Sequence, residues 1–496
     1  MKKNLPLPVC LFLTCWLIVM PFVTPADEAQ KGIILITGPE TSDLLRSLGE
    51  PLQRAAGIQS GDIHFHVVQD NVLNAMALPG QNIVLNSGLL LAVHDRDELA
   101  AVMAHEIGHL SAGHHIQIAA TMQDVALRTM IAFAAGIAAG VATGNSQVAQ
   151  AAILGGAASS QASLLDTIRE KETQADRLAI GYLVKAGFDP RGMVRFMEHL
   201  NRDQRLNNMP PPYLLTHPLS TQRMMESQQQ IDALALPDVP VAPATSQASH
   251  KAPAPMDASQ PGTVAKNKAT DDALLARVQA VLEAGTSNDL NEAIARFQKR
   301  LDLDPDNFPA RYGLAIAERY MGQLPAAATD LEQLLKQQAH DPYLLRERGM
   351  VQLELGKPTL AETDFRAALI YQPKQTNADL LYRLAFSLNE QDQPDKLTDA
   401  SRILRPLTLE YPLVADYFYL LGVVEGKQNH LGASHLALAR HAFLTMEKKM
   451  ARWHYQEAIR NFSSADTGRN IAKDELARLE KLEKESSRWG RQPPEQ

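Results

Sequence analysis

From Asp95 to Leu110 the apolar positions recur at helical spacing: Leu99, Val102, Met103 and Leu110 share a stripe with Glu106 among them. Asp95, with Glu98 three residues later, gives that stretch a capping-box start. The pattern predicts a helix with one core-facing stripe and its histidines close to the stripe's edge. Upstream, the apolar run Ile83 to Leu91 ends in Gly88-Leu89-Leu90 and predicts a strand leading into the helix. A strand in that position can present its edge to an extended peptide. A further helix is predicted to begin at Glu172 and run through Leu178, Ile180 and Leu183.

Further along, residues 237–270 are rich in Pro, Ala and Ser, including Pro237, Pro240, Pro243, Pro253, Pro255 and Pro261, and are too poor in large apolar residues to build a core. Beyond this linker the pattern repeats. Gly322 and Gly356 read as turns between paired helices 34 residues apart, the period of a tetratricopeptide repeat. Gly349, Ala361, Phe365, Ala368 and Pro373 take that repeat's small, aromatic and proline positions. Ala293, Phe297 and Pro305 fit an earlier copy, Phe418, Leu421 and Gly422 a later one, and the copy around Tyr382 to Pro412 is stretched. About four repeats are expected, burying their apolar faces against one another and leaving a concave surface for polypeptides. The predicted class is therefore α+β, mainly α: a domain with a buried helix and small β-sheet, followed by an α-solenoid.

The amino terminus adds a compartment. Lys2 and Lys3 precede an apolar run from Val9 to Val23, and Thr24-Pro25-Ala26 offers a small-residue cleavage site before Asp27. The expected organisation is a signal peptide at 1–26, a first domain at 27–236, the linker at 237–270 and the repeats at 271–496. Cys10 and Cys15 are the chain's two cysteines and both lie in the signal segment, which leaves a mature chain without disulfides or thiolate ligands. Removing Lys2 and Lys3 shifts the formal net charge from -8 to -10, so no basic surface is available for nucleic acid. Between Val125 and Thr143 the chain is apolar except for Arg128, and Ala132, Gly136, Gly140 and Gly144 recur every fourth residue. That strip suits close helix packing, with 148–158 as its partner, either inside the domain or in a hairpin touching the membrane.

The chemistry concentrates in His105-Glu106-Ile107-Gly108-His109. Residues four apart share a helix face, so His105 and His109 can hold one zinc ion with Glu106 beside it as general base for water. A catalytic zinc keeps three protein ligands and an open fourth position. For the third ligand, His115 has a spacing known from other zinc proteases, but Ala112 stands where that pattern requires glycine. Glu172 in Glu172-Thr173-Gln174-Ala175-Asp176 is preferred, with Asp176 one turn on and able to accept the other ring proton of a ligand histidine. His217 and Arg223 are candidate catalytic groups for stabilising an oxyanion. His64, His66, His94 and His115 read as structural histidines.

Three segments carry a resemblance: Asn74-Ala75-Met76-Ala77-Leu78-Pro79-Gly80, Gly88-Leu89-Leu90, and Glu98 through His109. They resemble the membrane-linked zincin peptidases that include HtpX and the CAAX prenyl proteases, and in particular the periplasmic members that join a signal peptide to carboxy-terminal helical repeats. The resemblance implies a zincin metalloprotease domain with one Zn2+ per chain, the glutamate of Glu-x-x-Ala-Asp, here Glu172, as third ligand, and His114 as a histidine that follows the zinc helix. Thr216-His217-Pro218-Leu219 and Arg223 match a further family element near the active site. By the same resemblance His217 is the residue that can occupy zinc's fourth position and hold the enzyme latent. The implied function is a periplasmic, membrane-associated zinc metalloendopeptidase. Its polypeptide substrates would be misfolded or misassembled outer-membrane proteins, and its partner the outer-membrane protein assembly machinery. The alternative is a chaperone or adaptor of that assembly working mainly through its repeats; Glu106 favours the enzyme, because an adaptor has no physical need for a base beside the metal.

Overall fold

The computed structural model describes residues 34–36, 38–114, 116–118, 121, 130, 146–206, 212–234, 268–371 and 377–489. The signal segment, residues 237–267 of the linker, and 125–143 apart from Met130 lie outside the described residues. Strands β1 (Leu35–Ile36), β2 (His64–Val68), β3 (Ala75–Leu78) and β4 (Asn82–Asn86) form one mixed sheet in the order β1-β2-β4-β3. β2 and β4 are parallel, while β1 with β2 and β3 with β4 are antiparallel. Ile83 and Leu85 of β4 point into the core and are fully buried, as alternation requires.

The predicted strand over Ile83 to Leu91 is shorter than its apolar run. It ends at Asn86, and Ser87–Ala92 forms helix α2, α1 being Pro39–Ala55. Ser87 forces the break: its hydroxyl donates to the Asp70 carbonyl at 2.9 Å and accepts the Asp70 N–H at 3.0 Å. Gly88 lies so close to the chain at Asn71 that a Cβ would sit 2.3 Å from the Asn71 carbonyl oxygen. β4 has a neighbour on each side, so it offers no edge. The strand that borders the sheet and packs along the next helix is β3.

That next helix, α3 (Arg96–Ser111), starts at Asp95, whose side chain accepts the Glu98 N–H at 2.9 Å. It differs from the predicted one-faced helix, since every side chain from Arg96 to His109 is buried. β3, α1, α4 (Ser146–Ala186), α5 (Arg191–Leu206) and α8 (Lys268–Gly285) surround it. Small residues make this enclosure possible. A Cβ on Gly108 would approach the Ala175 carbonyl of α4 to 3.0 Å, and one on Gly192 of α5 would meet the Asp97 carbonyl at 2.4 Å. Two short helices, α6 (Pro212–Thr216) and α7 (Thr221–Asp232), complete the domain.

Helix α8 belongs to two cores. Leu275, Val278 and Leu282 join the core around α3, whereas Ala280 and Ala284 join that of the repeats. Arg96 donates to Asp271 at 2.6 Å, and Gln279 donates to the carbonyls of Leu90 and Val93. Farther along the seam Tyr312 and Tyr343 donate to Glu40 and Asp43 of α1, at 2.6 and 2.7 Å. The Arg277 guanidinium lies between the rings of Phe308, Tyr312 and Tyr343 and pairs with Asp341.

The solenoid continues from α8 as α9 (Leu290–Leu303), α10 (Phe308–Tyr320), α11 (Leu324–Gln337), α12 (Pro342–Glu354), α13 (Pro358–Tyr371), α14 (Ala378–Gln391), α15 (Pro394–Glu410), α16 (Ala415–Lys427), α17 (Leu431–Leu444), α18 (Lys448–Asn461) and α19 (Thr467–Trp489). These make six helix pairs among the described residues, more than the four expected. Gly322 and Gly356 turn at φ 74° and 72°, and the same left-handed role passes to Asp392 at 52° and Asn429 at 59°. Asp and Asn tolerate that conformation, so the later pairs lack the glycine marker. Among the described residues, no helix is long and apolar enough to cross a membrane.

Candidate metal centre

Three elements deliver the site. α3 supplies His105, Glu106 and His109 on consecutive turns, α4 supplies Glu172 and Asp176 one turn apart, and the chain leaving α6 supplies His217, with Arg223 on α7. All seven are buried, His217 the most exposed at 8%. One donor atom from each of His105, His109, Glu172 and His217 lies within 4.8 Å of the other three.

The spacings test whether an ion fits. A tetrahedral ion with bonds of about 2.0–2.1 Å has ligand-to-ligand edges of roughly 3.3 Å. His105 Nε2 lies 3.3 Å from Glu172 Oε2 and 3.4 Å from His217 Nδ1, and His109 Nε2 lies 3.3 Å from Glu172 Oε1. His217 Nδ1 is 3.1 Å from Glu172 Oε1, and the two ligand imidazoles approach to 2.9 Å. These edges suit a small tetrahedral cation held by nitrogen and carboxylate donors. The charges agree. Burial opposes a charge on His105, yet its bonds to Asp176 and Glu172 outweigh it and push its pKa up to about 10. Burial works to raise Glu172, but His217 and the two ligand imidazoles hold it well below the usual carboxylate range. A proton on His105 thus faces these carboxylates, while burial pushes His109 down; a divalent cation would take over the balancing of charge.

Behind the donors, a second set of contacts fixes their orientation. His105 Nδ1 is 2.9 Å from Asp176 Oδ1, which leaves Nε2 for the ion. His109 Nδ1 is 3.1 Å from His114 Nδ1, and His114 Nε2 is 3.1 Å from Gln174 Oε1. A proton donated from His109 to His114 and another from His114 to Gln174 give both rings one consistent tautomer, again with His109 Nε2 free. Arg223 completes the frame: Nε and Nη2 donate to Asp176 at 2.7 and 2.8 Å, and Nη1 donates to the Pro218 carbonyl at 2.8 Å and pairs with Glu172 at 3.0 Å. All its nitrogens are engaged in these contacts.

Glu106 is different. It is fully buried, and neither of its carboxylate oxygens has a hydrogen-bond partner among the described residues. Across the site, His217 Nε2 lies 3.6 Å from Glu106 Oε1. A buried carboxylate without partners is expensive, and beside four converging donors it fits a base aimed at a reacting water. His217 stacks on Tyr213, with centroids 4.6 Å apart at 29°, and its N–H donates to the Tyr213 carbonyl at 2.8 Å. Sequence reasoning missed Tyr213 and Gln174. The four-residue spacing from Tyr213 to His217 was the one signal for the first; for the second, the sequence did not indicate which way Gln174 faces. His115 lies outside the described residues.

Helices carrying a His-Glu-x-x-His turn opposite a glutamate define a metallopeptidase-type site. Residues 39–231 match the model of peptidase family M48, and residues 312–378 match a tetratricopeptide repeat model. The chain therefore joins a region that matches the M48 peptidase model to tetratricopeptide-type repeats. It is similar to the beta-barrel assembly-enhancing protease of Escherichia coli (strain K12), 32% identical over 200 residues that cover 40% of this chain and 41% of that protein. The beta-barrel assembly-enhancing protease of Yersinia pestis is 27% identical over 385 residues, 78% of this chain and 72% of that one. Mitochondrial metalloendopeptidase OMA1 of Schizosaccharomyces pombe is 26% identical over 186 residues, 38% of this chain and 50% of that one. The match spans less than half the length of the first of these relatives.

Proposed function

We propose that the protein is a periplasmic zinc metalloendopeptidase acting on misfolded or misassembled outer-membrane β-barrel proteins, its repeats recruiting clients and the assembly machinery. The observation that carries the reading is the convergence of four metal-competent donors beside Glu106, a buried carboxylate without a hydrogen-bond partner among the described residues. The relatives named for β-barrel assembly support the choice of client. His105, His109 and Glu172 would hold the ion, which when bound polarises the scissile carbonyl and makes water more acidic. Glu106 takes the proton from water and returns it to the leaving amine. Asp176 and Arg223 hold His105 and Glu172 in register, and the His114–Gln174 pair does the same for His109. The free edge of β3, packed along α3, is the surface on which an extended polypeptide would lie.

His217 gives the same site an off state. Its Nδ1 sits where a fourth donor belongs, 3.1 Å from Glu172 and 3.4 Å from His105, so it competes with water for the ion. Outside the donor cluster it is held by the stack on Tyr213 and by its backbone N–H on the Tyr213 carbonyl, at the end of the five-residue helix α6. His217→Ala is expected to raise casein digestion by the purified zinc-loaded protein several-fold, because the fourth position then opens to water. A fall to background would instead make His217 a donor to the oxyanion, and unchanged activity would exclude both roles. Chelator treatment should abolish digestion and added zinc restore it; chelator-resistant digestion would rule out the metal mechanism.

A further inference from the structure

We propose a second metal site at the opposite end of α3, formed by His94, Glu98 and His199, that takes a borderline divalent transition ion such as Zn2+. His94 precedes the helix cap, Glu98 lies in the first turn of α3, and His199 comes from α5. One donor atom from each lies within 4.8 Å of the other two. His94 Nδ1 is 3.2 Å from Glu98 Oε2, and the imidazoles of His94 and His199 stand 4.4 Å apart at 46°. The cluster is separate from the first site, since Glu98 and His105 are seven residues, or about 10 Å of helix, apart.

The state of the His199 ring is a second observation. His199 Nδ1 is buried and has no hydrogen-bond partner among the described residues, while Nε2 is 3.9 Å from Asp203. A buried ring nitrogen without a partner is unusual, and here it belongs to a ring packed against another imidazole beside a carboxylate. Glu98 also serves the helix cap, accepting the His94 N–H at 2.9 Å through Oε2. Its Oε1 is less committed: Arg195 stays 4.0 Å away because its guanidinium is bound to Asp95 at 2.8 Å. Two imidazoles and a carboxylate are the donor set that selects zinc, nickel or copper over calcium and magnesium. The His94 side chain is 64% exposed, which gives an ion access from solvent and leaves room for water to complete its shell.

An ion at this position would tie the start of α3 to α5, adding a cross-link to a helix that α8 also contacts. The test uses the full-length protein, stripped with chelator and titrated with Co2+ as an optical probe. Wild type is expected to bind a tight equivalent and then a weaker second one, each with its own visible absorption. His94→Ala and His199→Ala should each abolish the second equivalent and keep the first, with zinc content by mass spectrometry falling from two ions per chain to one. Binding of a single equivalent by wild type would overturn the proposal, as would a second equivalent that persists in both variants. Should His199→Ala disturb α5 and lose both equivalents, the more exposed His94→Ala decides.

Discussion

Glu106→Gln is expected to lower the turnover of peptide substrates by about 10²–10⁴-fold while leaving bound zinc unchanged. The amide has the size and shape of the carboxylate but cannot accept a proton from water or hand one to an amine. Its effect on stability should run the other way. Glu106 is fully buried and both of its oxygens lack hydrogen-bond partners among the described residues, with His217 Nε2 3.6 Å away, so replacing a carboxylate with a neutral amide removes a desolvation penalty that no hydrogen bond offsets. The two readouts belong together: casein digestion should collapse, the melting temperature should hold or rise, and zinc by mass spectrometry should stay at the wild-type level. Digestion within about ten-fold of wild type would remove Glu106 from the mechanism and favour a protein that works through its repeats. Loss of zinc would show that Glu106 is a ligand rather than a base.

The sequence exposed what is local and hid what depends on the third dimension. His105, Glu106 and His109 are visible because one helical turn fixes their relationship, and Glu172 with Asp176 because a second turn repeats the logic. The enclosure of α3 was not visible, since a single stripe of apolar residues says nothing of Ala100, Ala101, Ala104 and Gly108, which matter only once α4 and α5 press against the other faces. The strand reading of Ile83 to Leu91 failed at Ser87 because a hydroxyl bonded to Asp70 ended it, a contact between residues 17 apart in the chain. Repeat counting lost its marker where Asp392 and Asn429 replace glycine in the same left-handed turn, and it assigned no copy to the last pair, Lys448–Asn461 and Thr467–Trp489. The contacts of Arg223 are likewise invisible in the sequence: only the fold reveals that its fork is filled by Asp176, the Pro218 carbonyl and Glu172.

That filled fork leads to the second large effect. Arg223→Met is expected to destabilise the peptidase domain by about 3–5 kcal/mol, because it leaves Asp176 and Glu172 buried without their shared cation. Both carboxylates are at most 3% exposed, so solvent cannot substitute for the guanidinium. For a domain of this size that corresponds to a melting temperature lower by on the order of 10 °C, measured without metal. Added zinc should recover part of the loss, since it binds only the folded site and supplies positive charge beside Glu172. Zinc should also bind about 10–100-fold more weakly, because Asp176 no longer holds His105 in one orientation. Arg223→Lys keeps a charge but not the two parallel bonds to Asp176, and should fall between wild type and Arg223→Met. If Arg223 served the transition state instead, Arg223→Met would cut turnover with melting temperature and zinc affinity unchanged. The contacts argue against that outcome: a guanidinium already donating to Asp176 and the Pro218 carbonyl, with Glu172 beside it, would have to break a buried ion pair before it could meet a substrate oxygen.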